Sequence, residues 1–367
     1  MSVSAVPCPE PLPATQLLAD WASRLTLTDL PPAVAAHGRR MVIDYLAAAI
    51  AGSATDVSRR LRDHFSRAEP GRAATAIQGA RLTASAAALV NGAAAHGLEL
   101  DDGYTPGSVH PGACVMPAVL AAGEARGATI DDVVTAAVVG VEVTTRIAEA
   151  GPAFFAGVFG AAAAVGNLIG LSPQAMAGAL GLAGSFAGGL REYHAHGSEV
   201  KRLHPGKAAR DGLTSAELAA AGLYGPHTVL EGRDGLFAAF ARGEGRVEAV
   251  VADLGSDWLC TRTYVKPYPC CRHLHGAIDA ARQVREALGG QEIERIRVGT
   301  FELAARLNRT DPSTLMQAQF SMPYVVAAAL VDGTVDLRTF EPGHLHDGAV
   351  RALAERVEVY VDDEAQH

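Results

Sequence analysis

Residues 150–190 read AGPAFFAGVFGAAAAVGNLIGLSPQAMAGALGLAGSFAGGL, an uncharged stretch on which the fold class depends. Ala and Gly dominate it, and the side chains that drive membrane insertion (Leu, Ile, Phe and Val) are sparse. The run from Gly170 to Pro173 predicts the end of one helix and the start of another, with Ser172 as the N-cap. Because small side chains let helices pack closely, this stretch predicts two core helices of a bundle rather than a membrane span.

More helices are predicted on both sides of this stretch. Apolar spacing, Pro starts and Gly stops predict helices over residues 16–27, 32–50, 57–68, 83–96, 113–125, 130–149, 154–169, 173–188 and 205–221, and a short turn over 247–254. The pattern changes near residue 258. Residues 258–268 favour β structure, residues 294–302 and 356–361 alternate as strands do, and residues 278–288 and 322–331 are typical of helices. We therefore expect a mainly α protein with an all-helical domain over residues 1–257 and a smaller α+β domain over residues 258–367.

The composition excludes several classes of protein. The chain has 367 residues, 49% of them hydrophobic, so it can bury a large core and is not disordered as a whole. Lys and Arg number 31 against 40 acidic residues, and the net charge of −9 argues against nucleic acid or an anionic membrane as partner. Five Cys without a CxxC pair predict neither a disulfide framework nor a zinc ribbon. Residues 1–16 lack the features of a signal peptide, so we expect a loose N-terminal arm and a cytoplasmic protein.

The first segment that could carry chemistry covers residues 96–113. Three carboxylates, those of Glu99, Asp101 and Asp102, precede a Gly- and Pro-containing loop that ends at His110, just before an apolar helix. A histidine at such a position is oriented by the loop and can face a cleft. The alternative interpretation is an acidic helix end followed by a surface loop. The spacing matches no standard zinc pattern.

The second segment covers residues 192–210 and is rich in cations. Lys201, Arg202, Lys207 and Arg210 fall within ten residues, and His204 precedes Pro and Gly in a way that predicts a helix start. Cations beside a helix N-terminus form an anion site, which suits a substrate that bears carboxylates. The alternative is a solvated basic helix face.

The third segment covers residues 266–279. Arg272, His273 and His275 follow a Pro-containing run and precede a predicted helix. Arg binds carboxylates with two parallel hydrogen bonds, and His exchanges protons near neutral pH. Cys270 and Cys271 show no local feature that would activate a thiol. A metal site formed by Cys271, His273 and His275 is the alternative for this segment.

Together, these segments resemble the MmgE/PrpD family. The resemblance is carried by NGAAAHGLELDDGYTPGSVHPGACVMPAVLA, SEVKRLHPGKAARDGLTSAELAAAGLYGP, LEGRDGLF, VKPYPCCRHLHGAIDAA and AQFSMPYVVAAALVDG, in this order along almost the whole chain. It implies a large all-α domain, a smaller α+β lid domain, a cleft between them and a homodimer. It also implies chemistry on small polycarboxylates, at a carbon next to a carboxylate, without a metal or organic cofactor.

The resemblance, together with the chemistry of the residues in the three segments, predicts roles for individual residues. His110, Lys201 and His275 match family positions and are the expected catalytic residues. The expected substrate-binding residues are Glu99, Asp102, His204, Lys207, Arg272 and His273. In this scheme His110 and His275 are the acid/base pair, Glu99 or Asp102 orients one imidazole, and Lys201, Arg272 and the helix start after His204 stabilise the developing negative charge. We expect His110, Lys201 and His275 to converge on one pocket in the cleft.

Two departures keep the function open. Residues 151–157 read GPAFFAG and lack the His-Pro-Thr stretch typical of the dehydratase and decarboxylase branches, whereas CRHLH looks more like the epimerase-type members. Family members usually continue past the RVEVYVDD strand, so we expect either a shortened lid or an incomplete polypeptide. The leading hypothesis is a lyase, with 2-methylcitrate dehydratase and cis-aconitate decarboxylase as its types. The alternatives are an epimerase of an amino- or imino-dicarboxylate, such as iminodisuccinate, and an inactive member that binds carboxylates or serves as a dimer scaffold.

Overall fold

The computed structural model describes residues 13–151, 153–190, 192–193, 198–241 and 244–366, so most of the expected N-terminal arm lies outside the described residues. The chain divides into two compact units. The first unit contains residues 1–97, 101–191 and 200–265, and the second contains residues 98–100, 192–199 and 266–367. Helices dominate and the sheets are small, which confirms the predicted mainly α fold class.

The first unit is a bundle of helices with one small hairpin. Its helices are α1 (Ala14–Arg24), α2 (Pro32–Gly52), α3 (Asp56–Ala68), α4 (Ala84–Ala95), α5 (Pro111–Arg126), α6 (Ile130–Ala150), α7 (Ala156–Leu168), α8 (Pro173–Phe186), α9 (Val200–Ala220) and α10 (Leu236–Phe240). The hairpin pairs β1 (Pro70–Thr75) with β2 (Arg81–Leu82) in antiparallel fashion and was not predicted from the sequence. Most of the predicted helices match these elements to within a few residues at each end.

Local sequence signals explain several helix starts. The side chains of Thr83, Thr129 and Ser172 accept hydrogen bonds from backbone N–H groups in the first turns of α4, α6 and α8. Between α7 and α8, Gly170 adopts a φ of 72°, which ends the first helix. With 13 and 14 residues, α7 and α8 are shorter than the roughly 20 residues that span a bilayer. The prediction of two core helices over this stretch is confirmed.

Within the described residues, no helix combines the length and the apolar character that crossing a membrane requires.

A close contact between α4 and α9 organises the first unit. A Cβ on Gly206 would lie 2.2 Å from the carbonyl oxygen of Leu89, and a Cβ on Gly92 would lie 2.7 Å from Cα of Gly206. Only glycine allows the two backbones to approach this closely. The contact joins Gly92, near the end of α4, to Gly206, in the first half of α9.

The start of α9 differs from the prediction. We expected a helix start just after His204, but α9 begins at Val200 and passes through Pro205. Proline removes one backbone hydrogen bond from a helix interior, at a cost of roughly 3 kcal/mol. The packing of Pro205 and Gly206 in the buried face of α9 offsets this cost. The expected helix start after His204 is therefore wrong, and Lys201 instead lies in the first turn of the helix. The expected anion site itself stays a prediction.

A buried ion pair on α6 secures the last part of the first unit. Nε of Arg146 lies 2.7 Å from Oε1 of Glu142, and both side chains are almost fully buried. Arg146 donates to the carbonyl oxygens of Ala252 and Asp257, each at 2.6 Å. Glu142 accepts from the backbone N–H of Cys260 at 2.8 Å. The pair thus satisfies the polar groups of a segment without regular structure.

The second unit contains helices and one parallel strand pair. Its elements are α11 (His275–Leu288), β3 (Ile296–Thr300), α12 (Glu302–Ala305), α13 (Leu315–Gln319), α14 (Met322–Asp332), α15 (Gly348–Ala354) and β4 (Val357–Val361). β3 and β4 pair in parallel from Ile296 with Val357 to Thr300 with Val361. Both strands were predicted by their alternation.

The expected β structure over residues 258–268 is wrong. That run forms a 3₁₀ turn, Leu259–Arg262, and a single bridge at Tyr264, because its polar backbone groups bond to α6 and to the loop after α4.

Removing either partner of the α6 ion pair should strongly destabilise the protein. Arg146→Met or Glu142→Gln leaves a buried charge or buried backbone groups without compensation, and we expect a loss of about 3–5 kcal/mol in the free energy of unfolding. Denaturant unfolding followed by circular dichroism measures this loss. Glu302 and Arg306 form an exposed pair with the same four-residue spacing, so Arg306→Met is the matched control and should cost less than about 1 kcal/mol. Equal effects of the two substitutions would contradict the role given to the buried pair.

Candidate active site

The loop that carries His110 is fixed by contacts within the first unit. Backbone N–H groups of Gly103 and Tyr264 donate to each other's carbonyl oxygens at 3.1 and 2.9 Å. The hydroxyl of the fully buried Tyr104 donates to the Glu149 carboxylate on α6. Burial and Glu149 raise the pKa of Tyr104, so its hydroxyl keeps the proton that it donates. These bonds hold the loop in place, and His110 is the last residue of the loop before α5.

Asp102 anchors the start of α5. Its Oδ1 and Oδ2 accept from the backbone N–H of Gly112 at 2.9 and 3.2 Å. A carboxylate at this position caps the helix and interacts favourably with its dipole. The backbone carbonyl of Asp102, not its side chain, accepts from Nδ1 of His110 at 2.7 Å. The Asp102 carboxylate therefore caps the helix, and its expected role in orienting an imidazole stays a prediction.

A buried chain of polar groups connects α4 to α9. Nδ1 of His96 lies 2.7 Å from Oδ2 of Asp101, and Nε2 of His96 lies 2.9 Å from Nζ of Lys201. All three residues are at least nine-tenths buried. His96 directly follows α4 and was not among the predicted site residues. Its position five residues before an Asp was a weak signal, since only the contact between α4 and α9 brings Lys201 to it.

His110 lies beside this chain. Its ring centroid is 4.9 Å from that of His96, and its Nδ1 is also 3.4 Å from Oδ2 of Asp101. The side chain is 27% exposed, unlike that of His96. The predicted catalytic residues His110 and Lys201 therefore both contact the Asp101–His96 pair, and His110 retains access to solvent.

The other two predicted residues of α9 have different surroundings. Nζ of Lys207 donates to Oδ2 of Asp211 and to the carbonyl oxygen of Phe186, both at 2.7 Å. His204 packs edge-on against Phe154, with ring centroids 5.6 Å apart. Burial, followed by the nearby positive charges, lowers the pKa of His204 and favours its neutral form. Lys207 has a carboxylate partner within its own helix, so its expected role in binding substrate stays a prediction.

The second unit has a buried cation of its own. Nζ of Lys266 lies 3.3 Å from Oε2 of Glu99, and both side chains are buried. The backbone of Glu99 has a φ of 54°, which is uncommon for a residue other than Gly and is enriched at functional sites. Lys266 was not among the predicted site residues, because no local pattern distinguished it.

Arg272, His273 and His275 lie where the chain enters α11. Arg272 is exposed on the 3₁₀ turn Arg272–Leu274, and the ring of His273 packs edge-on against Phe301 at 5.2 Å. Burial, then Arg272 and Lys266, lower the pKa of His273.

His275 itself is almost fully buried. Its Nε2 lies 3.3 Å from the carbonyl oxygen of Cys270, and within the described part of the chain its buried Nδ1 has no hydrogen-bond partner. Burial lowers the pKa of His275 to about 4, so the imidazole is neutral at physiological pH. A neutral imidazole whose Nε2 donates to a carbonyl can accept a proton only at Nδ1.

Each of the two units contains residue types that can bind a metal ion. Among the described residues, Cys271, His273 and His275 are not gathered as a ligand set, so the geometry does not support the alternative metal site. In the first unit, His96, His110 and Asp101 are residue types that bind transition metals. The ammonium of Lys201 lies at the very nitrogen of His96 that a metal ion would use, and two cations there would repel each other.

The structure thus brings Asp101, His96, Lys201 and His110 together in the first unit. It pairs Glu99 with Lys266 in the second unit, which also contains Arg272, His273 and His275. The expected convergence of His110, Lys201 and His275 on one pocket stays a prediction.

The fold and these residues define a class of protein. Residues 16–248 match the MmgE/PrpD N-terminal domain, and residues 268–367 match the MmgE/PrpD C-terminal domain. The chain belongs to the MmgE/PrpD family.

Curated relatives carry more specific names. The chain is 34% identical over 352 residues to the cis-aconitate decarboxylase of Aspergillus terreus, covering 87% of this chain and 72% of the relative. It is 31% identical over 362 residues to human cis-aconitate decarboxylase, covering 91% and 74%. It is also 30% identical over 380 residues to the cis-aconitate decarboxylase-like protein oryM of Aspergillus oryzae, covering 93% and 78%.

The buried His275 should make the stability of the protein depend on pH. In the unfolded chain this histidine binds a proton near pH 6.5, whereas in the folded protein it resists protonation until about pH 4. Between these values the unfolded chain binds more protons, so acid favours unfolding. The contribution of His275 is complete above about pH 6.5 and falls as the pH drops toward 4, by up to about 3 kcal/mol.

Urea unfolding at pH 5 and pH 7.5 measures this effect in wild type and in His275→Gln. The variant should lose much of the difference in unfolding free energy between the two pH values. His346→Gln is the control, because this exposed histidine belongs to the same unit. An unchanged pH dependence in His275→Gln would show that His275 titrates normally in the folded protein.

Proposed function

We propose that this protein is a lyase of small polycarboxylates and that it decarboxylates cis-aconitate or a close analogue. The observation that supports this most is the cluster of Lys201, His96, Asp101 and His110, in which a buried ammonium contacts one imidazole and that ring lies next to a partly exposed second imidazole. The names of the curated relatives support decarboxylation over dehydration. Residues 151–157 lack the His typical of the decarboxylase and dehydratase branches, so dehydration, epimerisation and loss of activity are alternative outcomes of the substrate test.

The proposed chemistry needs a positive charge and a proton donor. When the bond between a carbon and its carboxylate breaks, carbon dioxide leaves and the electron pair stays on a carbon conjugated with a second carboxylate. The ammonium of Lys201 stabilises this enediolate-like charge, since an electrostatic contact inside a buried site is stronger than in water. A proton then passes to the carbon, which completes the exchange of carbon dioxide for hydrogen.

His110 is the proposed source of this proton. Its Nδ1 donates to the carbonyl oxygen of Asp102, so Nε2 is the nitrogen that gains and loses a proton. The exposed fraction of the side chain permits exchange with substrate and solvent. Dehydration would need an additional base to remove an α-proton. His275, which is neutral and accepts at Nδ1, has the protonation state of a base, and its participation stays a prediction.

The proposed reaction uses no metal or organic cofactor, as the family resemblance implies. Activity should survive prolonged chelation, and metal analysis of the active protein should find no stoichiometric ion. Restoration of activity by one added metal ion would overturn this part of the proposal.

The substrate proposal is tested by incubating the protein with cis-aconitate, 2-methylcitrate, citrate and iminodisuccinate in D₂O. Proton NMR and carbon dioxide release distinguish the outcomes. Release of carbon dioxide with deuterium incorporated at one carbon supports the decarboxylase. Loss of water indicates a dehydratase, and exchange of an α-proton without a change in composition indicates an epimerase. Saturable binding without any turnover indicates the inactive member.

Lys201→Ala should reduce kcat on the order of 10²–10³-fold and weaken the binding of a tricarboxylate, while the fold is retained. The reason is the loss of the buried ammonium that faces the developing charge. Turnover assays, isothermal titration with citrate and circular dichroism measure the three properties.

Arg233→Ala is the matched control for loss of one cation, since Arg233 pairs with Asp234 on the surface of the same unit. It should leave kcat unchanged. Activity of Lys201→Ala within a few-fold of wild type would remove Lys201 from the mechanism.

The homodimer implied by the family resemblance also stays a proposal. One feature supports it: α2 exposes Ile43, Leu46 and Ile50, which recur at helical spacing on one face. Exposed apolar stripes of this kind are typical of contact surfaces. Sedimentation equilibrium of wild type and of Ile43→Glu tests it, and a wild-type mass equal to one chain would refute it.

A further inference from the structure

His96 occupies a position that the proposed reaction does not explain. It directly follows α4, is 3% exposed and contacts the two charged groups of Asp101 and Lys201 with its two ring nitrogens. A histidine buried between an anion and a cation is not needed for packing alone, since an apolar side chain would fill the same space without polar groups to satisfy.

The hydrogen-bond donors and acceptors assign its protonation state. The Asp101 carboxylate only accepts, so Nδ1 of His96 carries the proton at 2.7 Å. The ammonium of Lys201 only donates, so Nε2 of His96 is the acceptor at 2.9 Å. Both contacts are satisfied by one tautomer of a neutral imidazole. A charged imidazole would direct an N–H at the ammonium and repel it.

We propose that His96 is a positioning residue, which fixes the ammonium of Lys201 through a neutral imidazole whose tautomer is set by Asp101. This inference rests on the proposed role of Lys201 toward a carboxylate substrate. Holding a lysine side chain in one place costs rotamer freedom. The bond to Nε2 favours one position of Nζ before substrate arrives, so less of this cost falls on binding and catalysis.

Both hydrogen bonds of His96 run in the same direction, because Lys201 donates to Nε2 and Nδ1 donates to Asp101. Asp101 withdraws the Nδ1 proton and makes Nε2 a stronger acceptor, as second partners of histidine do in metal sites. Nδ1 of His110 lies 3.4 Å from the same Oδ2 of Asp101. One carboxylate therefore orients the imidazole that holds Lys201 and lies next to the imidazole proposed as the acid.

Two substitutions separate positioning from packing. In His96→Gln, the side-chain amide oxygen can replace Nε2 as an acceptor for Lys201. In His96→Leu, a side chain of similar bulk offers no acceptor. His37→Leu is the control, because His37 is a half-buried histidine of the same unit that bonds to Thr263 rather than to the site.

The first readout does not require turnover. The sequence contains only three lysines, Lys201, Lys207 and Lys266, so ¹⁵N-lysine labelling gives three ammonium resonances that Lys→Arg variants assign. An ammonium held in a buried hydrogen bond exchanges its protons slowly. We expect a protected Lys201 resonance in wild type, His96→Gln and His37→Leu, and its broadening in His96→Leu. The ¹⁵N shifts of His96 should report a proton on Nδ1.

The second readout is kinetic. On the substrate identified for the wild type, His96→Leu should lower kcat/KM on the order of 100-fold, the size expected when a catalytic group is displaced by about 1 Å. His96→Gln should recover at least a third of the wild-type value, and His37→Leu should match wild type. Rescue by the conservative variant is a result that a merely structural role would not give.

Three results would overturn the inference. A folded His96→Leu with a protected Lys201 resonance means that His96 does not hold the ammonium. A loss of activity in His96→Gln equal to that in His96→Leu, with the resonance protected, means that His96 itself reacts. A His96 proton on Nε2 contradicts the assigned tautomer. If wild type turns over no polycarboxylate, the proposed function fails, yet the resonance experiment still decides the role of His96.

Discussion

The backbone contact between α4 and α9 is the constraint on which the candidate site depends. Gly92 and Gly206 let these helices approach without intervening side chains. His96 lies four residues after Gly92, and Lys201 lies five residues before Gly206. The helices therefore run in opposite directions at the contact, and the end of α4 meets the start of α9. Any side chain at either glycine would push the helices apart and lengthen the bond between His96 and Lys201.

Buried charge then has to be compensated, and two clusters among the described residues of the first unit do this in different ways. Glu142 and Arg146 form a direct pair that satisfies backbone groups, and this pair serves the stability of the fold. At the site, an imidazole lies between Asp101 and Lys201. A direct ion pair would place the carboxylate on the ammonium, whereas the interposed imidazole keeps the two charges a ring width apart. This second arrangement suits a cation that must also attract an anionic substrate.

The cationic residues divide by type. Only three of the 31 are lysines, and all three lie in the segments selected for chemistry, while arginines supply the surface ion pairs. Lys201 and Lys266 are both buried, one beside a histidine and one beside a glutamate. Because an ammonium is a compact charge with rotatable donors, lysine suits a site where one atom must face developing charge. The planar guanidinium suits paired contacts, both in the buried pair of Arg146 and in the surface pairs.

The sequence by itself determined the elements whose signals are local. Thr129 and Ser172 mark helix starts through bonds within one turn, and strands β3 and β4 follow from alternation of side chains. The motifs also identified the family and selected His110 and Lys201. These features depend on neighbours within a few residues, so they can be read along the chain.

Only the tertiary structure decided which polar groups meet. It extended α9 through Pro205, gave the Asp102 carboxylate to a helix start, and turned the expected β run after residue 258 into a segment bonded to α6. It also brought His96 to Lys201 across 105 positions of sequence. The energy that fixes these contacts comes from burial and from satisfying charges between distant segments, and no pattern of neighbouring residues encodes which distant partner a buried group will find.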